Sequence, residues 1–130
     1  MKKMFFISLT ILLLCSVMVN AAELEKMKIA VAANNKTAKA FVSNIAAKCP
    51  YYHIFNNKGE LIEVIDNPYK NSSRNAGPLA ANFLAQKDID IIIAESFGSK
   101  MIEALKNSGK THFEFKGSVA NAIKRVLKLN

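Results

Sequence analysis

The chain opens its patterned region with MKIAVAA, residues 27–33, where small and β-branched side chains run together as in a buried strand. Asn34, Asn35, Lys36 and Thr37 follow as a turn. Ala38, Phe41, Val42 and Ile45 then recur at helical spacing and predict a short helix, which Pro50 must end by biasing Cys49 toward an extended conformation. YYHIFN, 51–56, and ELIEVID, 60–66, read as two strands joined through Asn57-Lys58-Gly59 into a hairpin. After the polar stretch 67–77, Pro78 suits the first turn of a helix whose core face holds Leu79, Phe83 and Leu84 and which runs through Gln86.

The stretch Ile89 to Ala94 is short, apolar and rich in isoleucine, as a central strand buried on both faces would be. A helix follows, with Ser99 as its cap, Met101, Ile102 and Leu105 inward and Gly109 at its end. THFEF, 111–115, predicts a last strand. Gly117-Ser118 then starts a helix that turns Val119, Ala122, Ile123, Val126 and Leu127 inward.

This order of elements predicts an α/β three-layer sandwich around one mixed five-stranded sheet. The order 3-2-1-4-5, with only strand 2 antiparallel to the rest, keeps the crossovers right-handed. It also sends the ends of strands 1, 3 and 4 and the start of strand 2 to one rim. The segments 34–37, 67–77 and 95–98 should meet there with Cys49, around the crevice between strands 1 and 4 where ligands of open α/β sheets usually lie.

The N-terminus has a different character. Lys2 and Lys3 precede an almost unbroken apolar run from Met4 to Val19, and Val19-Asn20-Ala21 has small residues where a signal peptidase reads. Residues 1–21 therefore read as a secretory signal peptide, 22–26 as a short linker and 27–130 as a single domain. The alternative is an uncleaved anchor, although the run is short for a span of about 20 residues. Membrane association is expected only in that case; otherwise the protein is exported to a periplasmic or extracellular location. Cleavage removes Lys2, Lys3 and no acidic residue, which lowers the formal net charge from +8 to +6. It also removes Cys15, so Cys49 has no intrachain disulfide partner. The basic balance favours anionic ligands. The lysines are scattered and no aromatic ladder accompanies them, so nucleic acid is not an expected partner.

Cys49 is open to three readings: a buried small hydrophobe, a soft-metal or cluster ligand favoured as thiolate by Lys48, and a redox or intermolecular thiol, as in a homodimer. No CxxC motif or nearby histidine completes a closed metal site. His53 lies inside a strand and reads as a structural histidine, as does His112. Ser96, Phe97, Gly98 and Ser99 join a buried strand to a helix start, where backbone amides can receive an anion, but they lack the Walker and dinucleotide patterns. Arg74, Asn75 and Gly77, together with Asn34, are placed around the same crevice. No Ser/His/Asp set is legible, so the chain is not expected to be an enzyme. Asp66 and Glu95, each at a strand end, would matter only if they converged.

MKIAVA at 27–32, VS at 42–43, CPYY at 49–52, DNP at 66–68 and IDIIIAESFGSKMIEALKNSG at 89–109 occur in an order that resembles the dinitrogenase iron–molybdenum cofactor biosynthesis family. The resemblance covers about Met27 to Leu127. It implies a ribonuclease H-like fold without nuclease activity, and a role in carrying or assembling metal–sulfur clusters that contain iron, molybdenum or copper. Family members commonly carry a His-Phe-Gly-Arg-like segment before the second strand; Ile45, Ala46, Ala47 and Lys48 stand there, keeping only the positive charge. Cys49 occupies a position where the family usually has a small residue. The expected site is therefore Lys48 and Cys49, with Cys49 as the metal ligand and Asn34, Arg74, Ser96, Phe97 and Gly98 around them. The expected partner is a metal cluster or a protein of the cell envelope.

Overall fold

The computed structural model describes residues 26–128. The predicted signal peptide and residues 22–25 of the linker lie outside them. Eight elements follow in order: β1 (Lys28–Ala33), β2 (Tyr51–Asn56), β3 (Leu61–Asp66), α1 (Ala76–Gln86), β4 (Ile91–Ala94), α2 (Ser99–Asn107), β5 (Thr111–Glu114) and α3 (Val119–Lys128). The strands form one sheet of order β3-β2-β1-β4-β5. β2 is antiparallel to both β1 and β3, while β4 runs parallel to β1 and β5 parallel to β4. The expected topology is thus observed. Among the described residues no helix is long and apolar enough to cross a membrane.

Strand alternation divides the core in two. Ala30 and Ala32 of β1, Tyr52 and Ile54 of β2 and Ile92 of β4 face α1 and α2, where Ala80, Leu84, Met101 and Leu105 cover them. Ile29, Val31, Phe55 and Ile93 face α3 and pack on Val119, Ala122, Ile123 and Val126. The small side chains at Ala30, Ala32, Ala80 and Ala81, all buried, leave room for the larger residues opposite. β3 is an exposed edge strand, with Leu61 and Ile62 outside the core. Its pairing to β2 shifts register between Ile54 and Phe55, a bulge of the kind that blunts open edges.

The expected short helix near residues 38–45 does not form. Val42 bridges Ala33 and Phe41 bridges Ser118 instead, and the Val42 N–H donates to Gly117 O at 2.8 Å. Ala40 and Val42 point inward, while Phe41 is 63% and Ile45 48% exposed. The apolar spacing fits period 3.6 and period 2 about equally here, and tertiary hydrogen bonding from β1 and residue 117 favours the extended form. The second correction concerns Ser99, which is the first helical residue and caps nothing. Gly98 is the N-cap of α2, and no side chain bonds the free amides there.

Leu84, fully buried between α1 and the sheet, should lose about 2–5 kcal/mol of stability when replaced by alanine. Ile62→Ala on the open edge should stay within about 0.5 kcal/mol of the parent. Urea unfolding followed by circular dichroism compares the two.

Candidate anion-binding groove at two helix starts

The parallel pairing of β1 with β4 brings the loops that follow both strands to the same rim. There the chain after β1 runs beside the chain after β4. The Glu95 N–H donates to Ser43 O, the Ser96 N–H to Asn44 O and the Ala46 N–H to Ser96 O, all at 2.9–3.0 Å, and the Ser96 hydroxyl donates to Asn44 O at 2.6 Å. Ser96 is thus occupied in holding the 43–46 segment in place. Phe97 turns back into the core, edge-on to the His112 ring at 5.0 Å.

The next segment, Ala46 to Cys49, is held from beneath. The Tyr52 hydroxyl donates to Ala46 O at 2.6 Å, and the Asn67 side-chain amide donates to Ala47 O at 2.8 Å and Cys49 O at 2.9 Å. The Asn67 carbonyl accepts from the Tyr69 N–H, so this buried amide is fully used. The result is a rigid ledge that carries the exposed Lys48 above buried Ala46, Ala47 and Cys49.

Opposite the ledge, α1 and α2 begin side by side. Asn75 caps α1 in the left-handed conformation (φ 56°), which asparagine tolerates better than most residues. Gly77, in the first turn, lies against α2: a Cβ there would stand 3.1 Å from both the Met101 nitrogen and its Cβ. A side chain at position 77 would therefore push the helices apart. Ile45, Ala47, Lys48, Asn75, Gly77, Pro78, Gly98, Ser99 and Lys100 line a groove of about 330 Å3 between the ledge and the two helix starts.

Its electrostatics follow from what the helices lack. Neither α1 nor α2 has a side-chain cap or an acidic residue in its first turn. The N–H groups of Ala76, Gly77, Ser99 and Lys100 find no acceptor among the described residues. Such amides concentrate positive potential at a helix start, and two starts with Lys48 and Lys100 beside them suit an anion. No cysteine, histidine or carboxylate lines the groove, and no cluster of three such metal-binding side chains occurs among the described residues.

Of the residues expected at the site, Lys48 and Gly98 line the groove, while Ser96 and Phe97 support it. Arg74 is exposed next to Asn75 and does not line it. Asn34 belongs to a loop that turns toward the α3 face, where the neighbouring Asn35 O meets His53 Nε2 at 2.8 Å. That contact makes His53 the structural histidine its strand position suggested. Asp66 and Glu95 stay outside the groove. Lys100 escaped sequence reasoning because a lysine one residue into a helix looks like an ordinary solvated charge. Asn67 did too, since Asp66-Asn67-Pro68 reads as a loop.

Cys49 departs from expectation in its chemistry. It is 1% exposed, and its Sγ donates to Ala46 O at 3.5 Å. Burial pushes the thiol up to about 12, and hydrogen bonding with its neighbours, Tyr52 first among them, offsets only a part. Lys48 is exposed above it and does not produce a thiolate. Burial likewise pushes the Tyr52 phenol above its ordinary range.

This is the arrangement of a small α/β binding domain with an anion-receptive rim. The chain belongs to the dinitrogenase iron-molybdenum cofactor family, whose model matches residues 27–129. That family is associated with binding or carrying iron–molybdenum cofactor and metal clusters. The fold is shared with the apo form of the orange protein from Desulfovibrio gigas, at 23% identity and a TM-score of 0.72 over 78% of this chain and 88% of that one. A candidate NifB protein from Thermotoga, also 23% identical, aligns with a TM-score of 0.65 over 80% of this chain and 89% of its own. A candidate dinitrogenase from Methanocaldococcus jannaschii, 15% identical, gives a TM-score of 0.53 over 78% and 88%. No curated protein matches the chain in sequence.

Two outcomes are expected from this geometry. Gly77→Val should cost about 1–3 kcal/mol through overpacking against Met101, read by thermal unfolding. The Cys49 thiol should resist aromatic disulfide reagents in native protein and react fully in denaturant. Because its folded value lies above the ordinary 9.0, stability should fall as pH rises from 9 toward 12. Cys49→Ala should flatten that fall, as measured by urea unfolding across the pH range.

Proposed function

We propose that this protein is an exported, non-enzymatic carrier that holds an anionic metal–sulfur cluster as cargo in the groove between Lys48 and the starts of α1 and α2. The observation that carries the reading is the pair of uncapped, acid-free helix starts facing two lysines. Family membership supplies the class of cargo. The basic start and apolar run at the N-terminus support export. The absence of a histidine or carboxylate from the groove lining supports binding without acid–base catalysis.

The donor set supports a particular mode of binding. A closed protein-ligated site needs about four soft ligands, and the one described thiol is buried and protonated. The residues therefore fit a cluster that brings its own sulfide and meets amide N–H groups and ammonium groups at its surface. Such binding should weaken as salt rises, because Lys48 and Lys100 are both exposed. Cys49 then acts as packing under the ledge.

Tetrathiomolybdate is a suitable probe, a sulfide-covered dianion with its own absorption spectrum. Lys48→Glu with Lys100→Glu should weaken its binding at least tenfold, and Cys49→Ala should leave it within about twofold. A loss confined to the cysteine variant would replace this mode with direct thiolate ligation. Metal and sulfide analysis of protein purified anaerobically from its host's envelope fraction then identifies the cargo.

A second reading, a protein-interaction module of the same fold that has lost cofactor binding, draws on Phe41 and Ile45, which the extended 41–45 segment leaves exposed near the rim. Metal-free native protein with a stable partner in a pull-down would favour it.

A further inference from the structure

The α3 face of the sheet carries a second concavity, of about 380 Å3, that shares no lining residue with the groove at the helix starts. Phe55 and Leu61 of the β2–β3 hairpin form one wall, and Val119, Ile123 and Leu127 of α3 form the other. The hairpin turn closes one end. Gly59 adopts φ +79° there, and a Cβ on it would stand 3.0 Å from Leu127 Cδ1. Leu61 remains 47% exposed at the lip.

The charged side chains that line this apolar slot are of one sign. Lys58 on the turn and Lys124 on α3 are both exposed and both line it. No carboxylate lines the slot. The polar interior neighbour, His53, already has Nε2 on Asn35 O. A volume of this size lies in the range of small-molecule sites. It accommodates one acyl chain rather than the two of a phospholipid.

The geometry points to a binding site for a free medium-chain fatty carboxylate, its chain between the hairpin and α3 and its carboxylate between Lys58 and Lys124. Two sources of affinity combine: apolar surface removed from water along the slot, and an anion held by two cations that line it. The site stands independently of the rim reading, because the sheet separates the two.

Decanoate titrated into the full-length protein below its micelle concentration, followed by calorimetry, should bind saturably at one per chain. Ala120→Trp fills the slot from an exposed position of α3 and should weaken binding at least tenfold, with circular dichroism unchanged. Lys58→Gln with Lys124→Gln should weaken decanoate at least fivefold and leave decanol unaffected. Lys48→Glu with Lys100→Glu at the rim should change nothing. Absence of saturable binding, equal binding by Ala120→Trp, equal binding of decyltrimethylammonium, or association only with anionic phospholipid vesicles would each overturn the assignment.

Discussion

The strand β1 has an antiparallel neighbour on one side and a parallel neighbour on the other, and the rest of the molecule depends on that asymmetry. An antiparallel partner can be joined to β1 without crossing the sheet, whereas a parallel one requires a crossover helix. The crossovers after β3 and β4 are α1 and α2, and each chain segment returns to begin its helix at the same rim. Two positive helix ends therefore converge for topological reasons before any side chain is chosen. What the sequence adds is permission for close approach. Gly77 lets α1 lie on Met101, and the lack of an acidic cap leaves the convergent field uncancelled.

The contrast between Lys48 and Cys49 shows how two adjacent residues are assigned opposite environments. The Asn67 amide binds the carbonyls of residues 47 and 49, fixing the ledge so that position 48 faces water and position 49 faces the core. Desolvation then outweighs any attraction a solvated ammonium offers to a thiolate, since the screening available to Lys48 is absent around the sulfur. A thiol in that setting behaves as the small residue that the resembling family has at this position. The charge, one residue earlier, is what remains available to a ligand.

The strands were legible from local signals and their order from the handedness of crossovers, whereas on α1 Leu79, expected inward, is 37% exposed and Ala80 and Ala81 are buried in its stead. The isoleucine-rich stretch Ile89 to Ala94 holds the central strand β4 at Ile91–Ala94, and Asn57-Lys58-Gly59 marks a hairpin whose glycine has positive φ. The segment 38–45 was not legible, since most of its hydrogen bonds go outside it, to the end of β1 and to the distant residues 95, 96, 117 and 119. A local periodicity cannot register such partners. The groove was legible in outline, from the rim that the topology implies, but not in its membership. Whether Asn34 borders it depends on which way the loop after β1 turns, and there the Asn35 carbonyl accepts from His53 Nε2 on the α3 face.

A central sheet buried on both faces also explains how one small domain can present two chemically different concavities. At the rim, backbone amides stay unpartnered because helices start there, so polarity is built into the main chain. Along the α3 face the lining side chains set the character instead, and they are apolar except for Lys58, Lys124 and His53, whose Nε2 is already on Asn35 O. One wall of each is held by hydrogen bonds: the rim ledge by Tyr52, Asn67 and Ser96, and the hairpin side of the slot by the β2–β3 ladder. A ligand at either place therefore meets one wall whose shape is fixed before it arrives.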